Sequence, residues 1–340
     1  MIAYFILVHR YPEQFKRLFT SIYSTSNHYL IHIDKKSNPD LYRTISTFLS
    51  NYTNVEILKS QNVVWGGYSM VSVEMKAIQK LLRMNKNWQF YINLSGQDFP
   101  LKSQAQIETY LNKRKGNSFI KIANQTTERP NTLNRIKNYF TETKNGFIGT
   151  PVKRAYLPNT TPYIGGQWKI LTRGCCEFLC SSPKVAKFEE YYKNTLIPDE
   201  SFFQTVLMNT RYPGKLINDD KRAIVWIPDF GPTLKSKKFS ANTTQALIES
   251  GEIKLRPKTL TTKDSALLLK SSALFARKLD ESVDTVIFDI LETKIQLSQP
   301  VNYPPKPVGL TTIAPVQHVS IGMQILKKTS ATAPVFSQLQ

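Results

Sequence analysis

The 340-residue chain has only three cysteines, four histidines and fourteen glycines, and each shortage excludes something. Cys175, Cys176 and Cys180 crowd into one short stretch, without the second ligand pair of a structural zinc site. They read as small apolar residues of a single helix, and an odd, clustered set suits a reducing compartment better than a disulfide framework. The histidines are scattered and no HExxH occurs, so zinc catalysis has little support. Gly214-Lys215 is followed by Leu216 and lacks the upstream glycine of a phosphate-cradling loop, and GxGxxG does not occur. Nothing approaches the roughly 20 apolar residues of a membrane span. The opening apolar run stops at His9-Arg10, too early for a signal peptide, so a soluble, cytoplasmic protein is expected. Asp-x-Asp is absent as well. If a nucleotide diphosphate leaves from this protein, cationic side chains must do the work of a bound metal.

Acidic residues are also scarce, 25 against 45 Lys and Arg, for a formal charge of +20. Such a field attracts phosphates, anionic lipid or nucleic acid and says nothing about fold. One reading open at this point is a basic nucleic-acid-binding protein without enzymatic activity, built around the basic and aromatic stretch TERPNTLNRIKNYF (127–140). No RNP-like string or helix-turn-helix signature accompanies it.

What is present is β-α repetition. Ile2–Val8 reads as a buried strand, and Phe15, Leu18, Phe19, Ile22 and Tyr23 form the stripe of an amphipathic helix. Strands over 29–34, 55–58 and 90–94 alternate with helices carrying Leu41, Ile45, Phe48 and Leu49, then Val71, Met75, Ile78, Leu81 and Leu82. Alternation of this kind predicts an α/β fold, a mostly parallel twisted sheet with helices on both faces, and a ligand beyond the carboxyl ends of the strands. His9-Arg10, Asp34-Lys35-Lys36 and SGQDFPLK (95–102) gather there. Further on, 165–172 and 223–227 read as strands, the cysteine stretch and PKVAKFEEYYKN as helices, and 247–280 as helices separated by turns. One domain over 1–285 is expected, with a nucleotide-binding half (1–125) and an acceptor and catalytic half (126–285). Residues 286–340 read as a poorly structured extension, because from Gln296 on there are six prolines and no acid.

Two carboxylates stand before an apolar run in TLIPDESFFQTVL (195–207). Ser201-x-x-Gln204 fits a capping box, which would leave Asp199 and Glu200 as negative charge at a helix N-terminus. One of them could equally be a base. Trp168 fits either the core or a flat wall for a sugar ring.

The strings IHIDKKS (31–37), VVWGGYSMV (63–71), INLSGQDFPLKS (92–103), GGQWKILTR (165–173), TLIPDESFFQTVL and ALFARKLD (273–280) occur in order. Together they resemble the core-2/I-branching glycosyltransferase family, and the last two resemble its protein xylosyltransferase branch. The resemblance implies a GT-A-like fold and an inverting, metal-independent transfer of N-acetylglucosamine or xylose from a UDP-sugar to a hydroxyl. It makes Glu200 the general base and Asp199 a helper beside it. Arg277 and Lys278 hold the leaving diphosphate, with Arg256 a lesser candidate for the same task. Val8, Asp34 and Asp98 fall on the donor side, and Gln167 and Trp168 on the acceptor side. Gln167 departs from the pattern, standing where xylosyltransferase-like sequences tend to carry an acid. The Golgi members' membrane anchor and many cysteines are missing, so the expected acceptor is a bacterial glycan or lipid-linked saccharide. Neither a metal nor nucleic acid is expected as a partner. The positive charge predicts peripheral contact with anionic membrane at its inner face.

Overall fold

A computed structural model describes residues 1–298 apart from 86, 145, 232–238 and 251. Its centre is a seven-stranded sheet. β1 (Ile2–Val8) lies between β2 (His28–Ile33) and β4 (Phe90–Ser95), and β3 (Val55–Leu58) closes the edge beyond β2, all four parallel. On the other side of β4 come Lys169–Thr172, then β6 (Asn117–Ile120), then Lys215–Ile217. Lys169–Thr172 runs antiparallel to both of its neighbours, so the sheet is mixed but mostly parallel. Between β4 and β6 the chain forms a short strand, β5 (Asp98–Pro100).

Side-chain alternation along β1 sorts the core. Ile2, Tyr4, Ile6 and Val8 face one layer, which holds α1 (Pro12–Ile22), α2 (Pro39–Leu49), α4 (Gln104–Asn112) and the helix Val286–Leu297. Ala3 and Phe5 face the other, which holds α3 (Ser69–Met84) and the helices Arg173–Ser181, Ala186–Tyr192 and Phe202–Asn209. Because both faces are covered, β1 reads as a continuous apolar run rather than an alternating one. Local signals fix the helix starts. Asn38 accepts from the Asp40 amide ahead of α2, and Ser103 and Gln106 form a capping box at α4. Cys175 and Cys176 are buried in Arg173–Ser181 as expected of small apolar residues. No helix among the described residues is long and apolar enough to cross a membrane.

Three expectations change. Residues 222–229 form two short strands, Arg222–Ile224 and Trp226–Asp229, rather than one. Within 247–280, Lys254–Pro257 and Phe275–Arg277 are strands, not helices. Phe275–Arg277 inserts between Arg222–Ile224 and β5, and pairing on both sides outweighs the helix propensity of ALFARK. The stretch read as an extension from 286 starts with the helix Val286–Leu297. Its Ile287, Phe288, Leu291 and Ile295 are buried in the first layer, with Phe288 edge-on to Phe99 at 5.2 Å. Residues 299–340 lie outside the described residues.

Phe288→Ala is therefore expected to destabilise the protein by about 3–5 kcal/mol, the usual cost of emptying a buried aromatic site. Urea unfolding checks this, and a change near zero would mean that the helix does not belong to the core.

Candidate active site

The carboxyl ends of β1, β2 and β4 meet through backbone bonds. The Asp34 amide donates to the Val8 carbonyl at 2.9 Å, and the Gly96 amide to the Leu7 carbonyl at 2.8 Å. Asp34 caps its own turn, its Oδ1 accepting from the Lys36 amide, while Lys36 Nζ reaches the Val63 carbonyl. Gln14, buried on α1, donates to the carbonyls of Gly96 and Leu279. It thus clips the turn after β4 to the segment that follows Arg277.

Arg277 stands opposite Asp98 in the antiparallel pairing of β5 with Phe275–Arg277. Its Nη1 donates to Ser95 Oγ at 2.5 Å and approaches Asp98 Oδ2 at 3.4 Å. Asp98 is fully buried; its Oδ2 also takes the Ser95 amide, and its Oδ1 has no partner. The Arg277 guanidinium lies 4.3 Å from the centre of the Trp168 ring. Trp168 is only 5% exposed, so its face supports arginine instead of opening as a wall. Arg222, buried with its Nη2 on the Asn93 carbonyl, approaches the same ring at 5.9 Å. Gln167 contributes its carbonyl, which accepts from Asn93 Nδ2.

Lys278 follows at the surface. Burial lowers its proton affinity, and the fields of Arg10, Arg277 and Arg256 lower it further against Asp280. Arg277 is lowered by burial too, opposed by Asp98. His9 is lowered by burial, then by Arg10 and Arg277, while Asp34 opposes. These mutual effects bring Asp34, Arg10, Arg277, Lys278 and Arg256 into one electrostatic neighbourhood. Arg256 itself is half-exposed on its own ribbon and 3.9 Å from Asp229. The cluster repels itself, and an anion would relieve it.

Glu200 sits in the 3₁₀ turn Pro198–Glu200. Ile197, ahead of it, has φ 52° and ψ 52°, a left-handed conformation that costs a β-branched residue roughly 1–3 kcal/mol. Its amide is tied to the Gly66 carbonyl at 2.7 Å. Gly66 is itself left-handed, and a Cβ on Gly67 would come within 2.4 Å of Glu142. Of the VVWGGYS glycines, Gly66 thus packs against this turn and Gly67 against Glu142. Ser201 begins the next helix, but its side chain makes no capping bond. Gln204 donates instead to the Gly166 carbonyl, because the left-handed turn sets Ser201 at φ −136°, ψ −25°, so the expected capping box does not form. The Gly165 amide donates to the Glu200 carbonyl at 2.7 Å, and three residues later Trp168 lies under Arg277. The loop Gly165–Trp168 therefore joins the carboxylate side of the site to the cationic side.

The Glu200 carboxylate takes Arg135 Nη1 on Oε2 at 2.8 Å and remains 28% exposed; Oε1 accepts none of the described hydrogen bonds. Burial raises its pKa, with Arg135 and Arg129 opposing. Asp199 is buried with Oδ1 unpartnered, and burial, then the Glu200 charge, pushes its pKa up to about 7 against Lys169. Lys169 is fully buried and contacts both oxygens of Glu74, at 3.0 and 2.9 Å, while Tyr91 donates to Glu74 as well. Sequence reasoning passed over Glu74, although it falls on the apolar stripe of α3 between Val71 and Met75. It also passed over Arg135, which hides in the basic stretch 127–140. Among the described residues, no three His, Cys, Asp or Glu side chains converge on one point.

In an open α/β sheet the carboxyl edge of the strands is where ligands bind, and here that edge gathers Arg10, Arg277 and Lys278, the first two paired with Asp280 and Asp98. A sequence model described as "Core-2/I-Branching enzyme" matches residues 2–251, and the chain belongs to that family; its mostly parallel sheet with helices on both faces is the α/β arrangement expected from the sequence. It is similar to Xylosyltransferase 2 of Mus musculus, 28% identical over 311 residues, with 89% of this chain and 34% of the relative covered. Against Xylosyltransferase 1 of Rattus norvegicus the identity is 31% over 231 residues, 66% of this chain and 28% of the relative. The chain thus spans about a third of the length of the curated relatives it matches. Of solved structures, it is similar to mouse Xyloside xylosyltransferase 1, apo form, at 13% identity and a TM-score of 0.32, covering 64% of this chain and 84% of that one.

Two outcomes are expected here. Lys169→Met leaves Glu74 buried without its counter-charge and should cost about 3–5 kcal/mol in urea unfolding, most of it recovered when Glu74→Leu is added. The folded-state pKa of Asp199 lies above its unfolded value, so folded protein holds the proton more tightly and stability falls as pH rises from about 4 to about 7. Asp199→Asn should therefore raise Tm above pH 7, the gain vanishing below about pH 4. An equal gain at both ends would show that charge burial is not its source.

Proposed function

We propose that the chain is an inverting, metal-independent glycosyltransferase that moves N-acetylglucosamine or xylose from a UDP-sugar to a hydroxyl of a glycan or lipid-linked saccharide. Family membership supports the reaction class. The observation that carries the assignment of roles is the loop Gly165–Trp168, bonded to Glu200 at one end and stacked under Arg277 at the other.

The acceptor oxygen attacks the anomeric carbon on the face opposite UDP, the bond from that carbon to the diphosphate oxygen breaks, and the acceptor proton passes to Glu200. Its free Oε1 is the accepting atom, at a working distance of about 2.6–3.2 Å. Burial raises the proton affinity of Glu200, which suits a base, and the Arg135 guanidinium opposes that rise by favouring the carboxylate. Negative charge developing on the departing UDP is met by Arg277, whose planar fork is held by Ser95 and Asp98, and by Lys278 as a compact point charge. The self-repulsion of Arg10, Arg256, Arg277 and Lys278 is relieved when the diphosphate arrives. Asp34 and the Val8 backbone lie on the nucleoside side, and the enzyme works in the cytoplasm, at the inner face of the membrane.

Donor turnover with a panel of UDP-sugars is the direct test. Glu200→Gln should lower turnover on the order of 10²–10⁴-fold while UDP still binds. Arg277→Ala should weaken UDP binding by about 1.5–3 kcal/mol, the worth of a hydrogen bond to a charged group. Turnover should persist in a chelator; its loss would refute the metal-free mechanism, and full activity in Glu200→Gln would refute the base.

A further inference from the structure

The antiparallel hairpin of Asn138–Thr143 and Gly146–Lys153 projects from the segment that leads to Glu200. Its root is bound there by the Phe140 amide on the Asn194 carbonyl and the Leu196 amide on the Arg135 carbonyl. Its two faces differ. Phe140 and Phe147 meet edge-on, Glu142 accepts from the Ser69 amide, and Gly66 packs against Phe147, so this face is turned toward the protein. Away from it, Ile148 is 61% exposed and Val152 63%, with Tyr139 also exposed. Trp65, next to Gly66, is 73% exposed. Lys144 and Lys153 stand exposed on the same hairpin and Lys137 just ahead of it, and the only acid between residues 137 and 154 is the Glu142 already bound to Ser69.

We propose that this hairpin, with Trp65, is a membrane-docking finger that seats on an anionic lipid surface. Bare aliphatic and aromatic side chains interleaved with lysines, and no free carboxylate, match the apolar layer and the negative headgroups of such a surface together. A protein partner would have to leave three lysines unpaired or supply acids for each, whereas anionic headgroups supply the opposite charge at any position. Indole side chains favour the headgroup level. Docking here would bring the Glu200 turn to the interface, where the sugar of a lipid-linked acceptor stands. This deepens the reading of the chain as a transferase by naming how its acceptor is met.

The test uses the whole chain and vesicles of phosphatidylcholine with or without phosphatidylglycerol. Co-sedimentation is expected only with the anionic vesicles, falling as salt rises, together with a blue shift of tryptophan emission that Trp65→Phe removes. Ile148→Asp with Val152→Asp should reduce vesicle binding at least tenfold, and Lys144→Glu alone by roughly fivefold or more, the share of one surface cation. Donor hydrolysis in vesicle-free solution and circular dichroism should match the parent in every variant, which separates this proposal from the transferase reading. Absence of vesicle binding, equal binding to neutral vesicles, or binding untouched by these substitutions would overturn it. So would concentration-dependent dimers that the same substitutions abolish, since the face would then belong to a second copy.

Discussion

The site depends on one buried contact, Arg277 held by Ser95 and Asp98 at the carboxyl edge of the sheet. These partners are 182 and 179 residues apart in the chain. A guanidinium at that depth costs several kcal/mol to desolvate unless its donors are met, and the pairing of β5 with Phe275–Arg277 places Asp98 directly opposite to meet them. Once that register is set, the Leu279 amide reaches the Gln97 carbonyl and Asp280 reaches Arg10. The late segment is thereby laid across the ends of β1 and β4. Lys278 is left with no ion-pair partner among the described residues, facing the same space.

Burial then acts with opposite sign on the two sides. It depresses proton affinity at Arg277, Lys278 and His9 and raises it at Asp199 and Glu200, because in each case the charged form is the one that loses water. On the cationic side, neighbouring cations reinforce the effect, and a bound anion would reverse it. On the acidic side, Arg135 opposes the rise at Glu200 and Lys169 the rise at Asp199. A site divided in this way is suited to receive negative charge at one end and a proton at the other.

Local rules and long-range packing disagreed at informative places. The pattern Ser201-x-x-Gln204 satisfies the capping rule, yet the left-handed Ile197 fixes a turn in which neither side chain caps. The FARK run has good helix formers and nonetheless becomes a strand, because two other strands leave an opening of that shape. The lysine at position 169 interrupts an otherwise apolar strand and is accommodated by a glutamate on a helix 95 residues away. Ile197 is itself held by the Gly66 carbonyl, so at each of these points a partner remote in sequence takes part, and no window of neighbouring residues contains it.

By itself the sequence determined the layered α/β plan. β1 to β4 and the helices between them announce themselves in the spacing of Phe15, Leu18, Phe19 and Ile22, or of Val71, Met75 and Ile78, because burying one face of a helix or both faces of a strand is a local demand on composition. The ordered strings also marked Glu200, Arg277 and Lys278 as residues to watch. Only tertiary structure decided that Trp168 lies beneath Arg277 instead of lining a cleft, that Arg135 holds Glu200, and that Val286–Leu297 completes the core. Those outcomes turn on which side chains can satisfy a buried charge or fill a remaining volume, and that is settled only when distant segments meet.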